Sequence, residues 1–127
     1  MDVTQWSKWY DFNSPPAVVL ACPGVYEIRT DFEFGRLRGK SAVVYIGSAA
    51  KSLRERLINQ RCAEPNQNLS RAEKLLCQAG HSLEFRYAVS TSAALARQLE
   101  AQELTRYEEE HWELPPGNSV KPKIRDK

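Results

Sequence analysis

The residues that first suggest chemistry in this sequence are a phenol and a guanidinium placed close together along the chain. Tyr45 stands near the end of an apolar, β-branched run that begins at Val43, and a phenol at the end of a buried strand needs a hydrogen-bond partner. Gly47 follows, where the backbone can turn or approach another group closely. A predicted helix then carries Arg56 on its second turn. A phenol and a guanidinium at one end of one strand suit a phosphate group.

A carboxylate on a predicted helix is the second feature that suggests chemistry. At about 100° per residue, one face of this helix combines Glu100 with apolar residues: Ala93, Ala96, Leu104 and Tyr107. A carboxylate on such a face is unfavourable unless it is paired with a cation or bound to a metal. Glu100 therefore needs a partner, whereas the other acids of the helix are expected to face solvent: Glu103, Glu108, Glu109 and Glu110.

Two predicted strands must position the phenols. Residues 24–30 alternate as a half-buried strand that carries Tyr26 on its apolar face. Residues 31–40 contain two glycines among charges, which suits a hairpin connection to the strand around Tyr45. That second strand is apolar on both faces, so it is predicted to be a central strand of the sheet. Tyr26 and Tyr45 are then expected to approach each other across antiparallel neighbours.

The remaining elements complete an α+β pattern with three strands. Strict alternation over 81–90 predicts the third strand. Helices are predicted over 51–62, over 69–79 with Gly80 as its cap, and over 93–110 with Ser92 as its cap.

Size and composition indicate a single domain. The chain has 127 residues, of which 42% are hydrophobic and 27% charged, as in ordinary globular proteins. Residues 1–16 form an aromatic N-terminal arm that is expected to pack onto the domain, with base stacking as the alternative, and residues 119–127 form a basic tail. Three cysteines without a CxxC pair favour reduced thiols, and no apolar run is long enough to span a membrane. We therefore expect a cytoplasmic protein without a membrane partner.

The charge of the chain is unevenly distributed. The net charge is only +2, but seven basic residues face one acid between Arg36 and Arg61. The segment from Arg97 to Leu114 is instead acidic, with six glutamates against two arginines. A basic region around the strand and helix is expected in a protein that binds nucleic acid, although a solvated helix face can have the same composition.

These features together resemble the GIY-YIG nuclease superfamily. The resemblance rests on Gly24-Val25-Tyr26, on Tyr45-Ile46-Gly47, and then on Arg56, Glu100 and Asn118 in that order, and it covers about 23–118. Either tripeptide alone is weak evidence, but the two separated by a hairpin and followed by Leu-x-x-Arg and Leu-Glu are specific. The resemblance implies a small antiparallel three-stranded sheet flanked by helices.

The resemblance also implies a role for each matched residue. Tyr26 would be the general base toward the attacking water, and Tyr45 would support it by bonding to the phosphate or the water. Arg56 would bind the scissile phosphate and stabilise charge in the transition state. Glu100 would hold one divalent metal ion, Mg²⁺ or Mn²⁺, and Asn118 would brace the site near the metal carboxylate.

The chemistry of phosphodiester hydrolysis agrees with these roles. The reaction needs an in-line water, neutralisation of the phosphate oxygens and relief at the leaving oxygen. A free tyrosine has a pKa of about 10, so either Arg56 and the metal favour its phenolate or a hydroxide on the metal relays the proton. One carboxylate suffices for Mg²⁺, because that ion keeps several waters and takes phosphate oxygens from the substrate.

Each matched residue also has an ordinary structural interpretation. Tyr26 and Tyr45 could be strand aromatics, Arg56 a surface charge, and Asn118 a turn residue. Glu100 could pair with an arginine of the core or with Arg97. Arg54 is the alternative to Arg56, but the helical face favours Arg56, which borders the apolar seam. Some family members have a histidine where this chain has Gln60.

The sequence therefore predicts a DNA endonuclease that depends on a divalent metal. The expected nucleic-acid contacts are seven residues: Arg36, Arg38, Lys40, Lys51, Arg54, Gln60 and Arg61. A cut in both strands requires a homodimer or sequential nicking, and specificity could come from an accessory protein. The alternative is a catalytically inactive module of the same fold that binds nucleic acid or protein.

Overall fold

The computed structural model describes residues 5–12, 19, 21–59 and 74–118. Within these ranges the chain is an α+β fold in which an antiparallel sheet has helices packed on it. One apolar cluster joins the sheet to Leu53 and Leu57, and a second joins it to Leu99 and Leu104. The sheet is therefore covered on both faces.

The sheet of the described residues has four strands, so the prediction of three was wrong. The strands are β1 (Tyr10–Asp11), β2 (Gly24–Gly35), β3 (Lys40–Ala49) and β4 (Leu83–Val89), in the order β1-β4-β2-β3. The extra strand β1 lies in the aromatic arm and pairs with β4, with Tyr10 opposite Phe85. Two residues are too few to show the alternation by which a strand is recognised in a sequence.

The prediction that β3 is a central strand was also wrong. β2 is the strand with neighbours on both sides, and β3 lies at the edge of the sheet. Tyr45 faces one apolar cluster and Ile46 faces the other, which explains the apolar residues on both faces. Apolar residues on both faces of a strand therefore indicate that both faces of the sheet are covered at that strand. They do not indicate whether the strand has a hydrogen-bonded neighbour on each side.

The hairpin between β2 and β3 is longer than the sequence suggested. Its turn is confined to Arg36–Gly39, where the Arg36 N–H donates to the Gly39 carbonyl over 2.9 Å and Gly39 has φ 73°. The pairing places Tyr26 opposite Gly47 and Ile28 opposite Tyr45. Between Ile28 and Arg29 the register shifts, so Val44 is an extra residue of β3.

Two helices position the candidate chemistry. Helix α1 covers 53–59, its last part Glu55–Asn59 is π-helical, and the Ser52 hydroxyl accepts a hydrogen bond from the Glu55 N–H at its start. Helix α2 is Ala93–His111, with the predicted cap Ser92 accepting from the Leu95 N–H. The predicted helix over 69–79 is described only from residue 74, is helical at 74–78, and ends near Gly80 with φ 90°.

The prediction that Glu103 faces solvent was wrong, because its side chain is buried. Glu108, Glu109 and Glu110 are at least partly exposed, as expected.

The described part of the N-terminal arm packs against the sheet. Trp9 stacks on Arg29 with its ring centroid 4.0 Å from the guanidinium carbon, and Trp6 stacks on Arg86 at 4.3 Å. The basic tail 119–127 and the rest of the arm lie outside the described residues. In the part of the chain that is described, no helix has the length and apolar character needed to cross a membrane.

Candidate active site

The two motif tyrosines meet on one face of the sheet. Tyr26 on β2 and Tyr45 on β3 have ring centroids 6.0 Å apart, as the antiparallel pairing predicts. Tyr26 is 2% exposed and Tyr45 is 8% exposed. Both rings are therefore fixed by packing near the end of the edge strand.

The rings of Tyr26 and Tyr45 pack directly against Gly47. A Cβ at this position would be 2.6 Å from the Tyr45 ring and 2.8 Å from both the ring and the hydroxyl oxygen of Tyr26. Gly24, in the first tripeptide, has a similar role, since a Cβ there would collide with the Ala88 carbonyl and with Leu53 of α1. Close packing therefore requires glycine at both positions, but of the two only Gly47 packs against the tyrosine rings.

The carboxylate of Glu100 is bound to the residue next to Gly47. The Ser48 hydroxyl donates a short hydrogen bond to Glu100 Oε1, joining α2 to β3. Consecutive Cα atoms lie about 3.8 Å apart, so the Tyr26 hydroxyl and the Glu100 carboxylate adjoin consecutive residues of one edge strand. They approach it from opposite faces, and beyond β3 the described sheet has no further strand to separate them.

Burial dominates the titration of Glu100. Desolvation raises the pKa of this carboxyl, and the Ser48 hydrogen bond and then the positive charge of Arg56 partly offset that rise. Arg56 on α1 is thus a nearby cation whose charge acts on the candidate metal ligand. The choice of Arg56 over Arg54 for the phosphate site stays a prediction.

A pocket of about 250 Å³ opens beside Arg56. It is lined by the loop between β3 and α1 and by two residues of the helix: Ala49, Ala50, Lys51, Ser52, Glu55 and Arg56. The small side chains of Ala49 and Ala50 leave space in this pocket. Lys51, which also lines it, is exposed to solvent. A small pocket with two basic side chains can receive one phosphate group of a polymer.

Asn118 braces the edge strand and not the Glu100 carboxylate. Its Oδ1 accepts from the Ile46 N–H over 3.0 Å, and its Nδ2 donates to the Ile46 carbonyl over 2.9 Å. The neighbouring Gly117 N–H donates to the carbonyl of Val44, the extra residue of β3. The chain after α2 therefore completes the hydrogen bonding of β3 beside Tyr45, where the next strand of a sheet would lie.

The basic residues predicted to contact nucleic acid fall into two groups. Lys51 and Arg54 lie at the Gly47 end of the hairpin, and Gln60 and Arg61 lie outside the described residues. The other three stand at the turn end: Arg36, Arg38 and Lys40. At about 3.3 Å per residue, Lys40 is roughly 23 Å along the strand from Gly47.

The structure gives Arg36 partners within the protein. Its guanidinium donates to the Leu114 carbonyl and pairs with Glu113 at 3.2 Å. Arg38 is exposed and lies over the ring of Trp112, with 5.7 Å between the guanidinium carbon and the ring centroid. Arg36 is therefore a structural residue of the turn end, and only Arg38 and Lys40 present charge to solvent there.

Ser48 is the site residue that the sequence did not predict. The signal was present, because a small polar residue follows Gly47 directly at the end of an apolar strand. Its significance depends on the packing of α2 against β3, which the sequence alone does not give.

The donor set fits a weakly held hard cation. No group of three or more His, Cys, Asp or Glu side chains within the described ranges could hold a metal ion. Glu100 alone, bound to Ser48, offers one carboxylate, which suits Mg²⁺ or Mn²⁺ when the substrate supplies further oxygens. A tight preformed metal centre does not fit these residues.

Comparisons of the chain with known protein families, with curated proteins and with solved structures give no match.

Proposed function

We propose that the chain is a GIY-YIG endonuclease that hydrolyses DNA phosphodiester bonds with one Mg²⁺ or Mn²⁺ ion. The observation that carries the proposal is the neighbourhood of Gly47 and Ser48. Two phenols lie over Gly47, a carboxylate is bonded to Ser48, and the charge of Arg56 acts on that carboxylate. A base, an anion that can hold a metal and a cation that can hold a phosphate are the groups that the reaction needs.

In this proposal the tyrosines act on the attacking water. Tyr26, as its phenolate, accepts the proton of the water while the water oxygen bonds to phosphorus, and the bond from phosphorus to the leaving oxygen breaks. Tyr45 orients the water or the phosphate through its hydroxyl. Gly47 keeps both rings in place, because any larger residue would displace them.

Arg56 and Glu100 act on the negative charge of the phosphate and of the leaving oxygen. Arg56 binds the non-bridging phosphate oxygens, whose charge grows in the transition state, from the wall of the 250 Å³ pocket. Glu100 would hold the divalent ion, whose charge would neutralise the phosphate and the leaving oxygen. Ser48 orients the carboxylate, and Lys51 and Arg54 bind neighbouring phosphates.

Digestion of DNA with matched glutamate variants tests the proposal. Wild-type protein is incubated with labelled oligonucleotides and plasmid in Mg²⁺ or Mn²⁺, with and without a chelator. Glu100→Gln removes the charge at the proposed metal ligand, and Glu109→Gln is its control on the exposed side of α2. We expect cleavage by the wild type and by Glu109→Gln, and none by Glu100→Gln or with chelator. Equal cleavage by both variants contradicts the proposal.

One observation favours the alternative of a non-catalytic module. Tyr26 is only 2% exposed, which is the burial of a core aromatic. A module would bind DNA through Lys51, Arg54 and Arg56 without cutting it. Binding of labelled DNA that is weakened by Lys51→Ala, together with no cleavage in either metal, is the outcome that this alternative predicts.

A further inference from the structure

The segment that follows α2 contains a glycine that packs against Tyr45. Gly117 is buried, and a Cβ there would lie 2.6 Å from the Val44 carbonyl oxygen, 3.2 Å from Tyr45 Cδ1 and 3.3 Å from Tyr45 Cβ. Within the described residues, the glycines with a positive φ are Gly39 and Gly80. Position 117 therefore requires glycine because there is no space for a side chain, and not because of its backbone conformation.

The ring of Tyr45 contacts two glycines at its opposite edges. Cδ1 belongs to the edge that faces Gly117, and Cε2 belongs to the edge that faces Gly47, where a Cβ would lie 2.6 Å from it. An added methyl group at either glycine therefore pushes the ring in the direction of the other one. The two contacts together fix the position of the phenol across the edge of the sheet.

The segment that carries Gly117 is itself held firmly against β3. The Gly117 N–H donates to the Val44 carbonyl over 2.6 Å, and the Asn118 side chain makes two hydrogen bonds to the Ile46 backbone. The Asn118 N–H also donates to the carbonyl of Pro115, whose side chain is fully buried. With these contacts in place the segment resists displacement, so a group added at Gly117 acts on the strand.

Pressure on the Val44 carbonyl reaches Tyr45 through the backbone. This carbonyl belongs to the peptide group that joins Val44 to Tyr45, and a peptide group is planar and moves as a unit. A displaced carbonyl oxygen therefore changes the direction in which Tyr45 leaves the strand. The hydroxyl lies at the far end of the ring, so a small rotation of the backbone moves it farther than it moves the Cβ.

We propose that Gly117 is a positioning residue of the reaction, which acts by fixing the Tyr45 hydroxyl relative to Tyr26. The inference rests on the proposed function, because it concerns how one of the proposed site phenols is held. It adds to that function a residue outside both tripeptides, from the far end of the chain.

NMR of protein with carbon-labelled tyrosine tests the placement without any need for cleavage. The Tyr45 ring signals are assigned by their loss in Tyr45→Phe. We expect Gly117→Ala to shift the Tyr45 signals and to leave those of Tyr10, at the opposite edge of the sheet, in place. Gly35→Ala is the control for an added methyl group, since nothing lies within 4 Å of a Cβ there. Unshifted Tyr45 signals in folded Gly117→Ala overturn the proposal.

A double-mutant cycle tests whether Gly117 acts on cleavage through Tyr45. Gly117→Ala should lower the single-turnover rate about 10- to 10²-fold, as expected for a displaced catalytic group. In the Tyr45→Phe background it should cause little further loss, because the hydroxyl that it displaces is already absent. In the Lys51→Ala background the two losses should multiply. A loss that multiplies equally in both backgrounds overturns the proposal.

The two tests also separate this inference from the proposed function. Absence of cleavage by the wild type contradicts the proposed function and the catalytic role of Gly117 with it, whereas the NMR comparison still decides whether Gly117 places Tyr45. If Gly117→Ala does not fold, Asn118→Ala replaces it, since that variant releases the segment from Ile46 without an added group. Asn118→Ala should shift the same Tyr45 signals, and unshifted signals again overturn the proposal.

Discussion

The two ends of the β2–β3 hairpin carry the same types of side chain in different surroundings. At the turn end, the Arg36 guanidinium bonds to the Leu114 carbonyl and pairs with Glu113. At the other end, Arg56 lines a pocket, and its charge acts on the partly buried Glu100. One arginine joins two segments of the protein, and the other borders a space that a ligand can enter.

This difference shows that a basic residue in the sequence does not by itself mark a contact with nucleic acid. Both arginines belong to the same basic region of the chain, between Arg36 and Arg61. Glu113, in the segment that follows α2, pairs with Arg36 at the turn end. We therefore expect loss of Arg36 to affect stability and loss of Arg56 to affect function.

Within this comparison of the two hairpin ends, the largest expected effect is that of Arg56→Ala on cleavage. Removal of a group that stabilises transition-state charge should lower the rate about 10²- to 10³-fold, whereas Arg54→Ala should lower it less. Single-turnover cleavage of a labelled oligonucleotide measures both variants. A larger loss in Arg54→Ala would reverse the assignment of the two arginines.

Gly47→Ala should have the next largest effect. The added methyl meets the rings of Tyr26 and Tyr45 at 2.6 to 2.8 Å, so the hydroxyl groups must shift. A displacement of this size can lower a rate about 10²-fold, and the overpacking should cost about 1–3 kcal/mol of stability. Gly35→Ala is the matched control, since nothing lies within 4 Å of a Cβ there. Unchanged cleavage in Gly47→Ala would show that catalysis does not depend on the positions of these two rings.

Arg36→Ala should act on stability. It leaves the partly buried Leu114 carbonyl and the Glu113 carboxylate without this donor, which should cost about 1–3 kcal/mol. Denaturant unfolding measures the loss, and Arg38→Ala, whose side chain is exposed, serves as the control. At temperatures where Arg36→Ala is folded, its cleavage rate should match that of the wild type. A reduced rate with full stability would instead make Arg36 a DNA contact.

The smallest expected effect is a pH shift in Ser48→Ala. The Ser48 hydrogen bond lowers the pKa of Glu100, so its removal should raise that pKa further. If the ionised carboxylate is needed, activity falls as the pH drops through this pKa. The acid limb of the pH–rate profile should therefore move to higher pH in the variant. A limb that stays in place would mean that Ser48 does not act on Glu100.

The sequence predicted the parts of the fold that depend on local pattern. Alternation and turn residues were sufficient for the pairing of β2 with β3, and hence for the approach of Tyr26 to Tyr45. The cap Ser92 fixed the start of α2 correctly. These features depend on residues that are close together in the sequence, so the pattern of one sequence is enough to predict them.

The features that the sequence did not predict depend on contacts between distant segments. Glu103 is buried because α2 packs against the sheet, and this packing is not visible in the pattern of the helix sequence. The partners of Arg36 come from the segment after α2. The Asn118 side chain can bond to the Ile46 backbone because β3 is an edge strand. The apolar residues on both faces of β3 had instead predicted a central strand.

The most direct test of the central claim compares two phenols on the same face of the sheet. Tyr26 and Tyr87 are register neighbours on β2 and β4, and both are buried, but only Tyr26 reaches Gly47. Metal-dependent cleavage of a labelled oligonucleotide is measured for Tyr26→Phe and Tyr87→Phe after both are shown to be folded. We predict a loss of about 10²- to 10⁴-fold in Tyr26→Phe and a wild-type rate in Tyr87→Phe. Equal rates in the two variants would contradict a catalytic role for the Tyr26 hydroxyl.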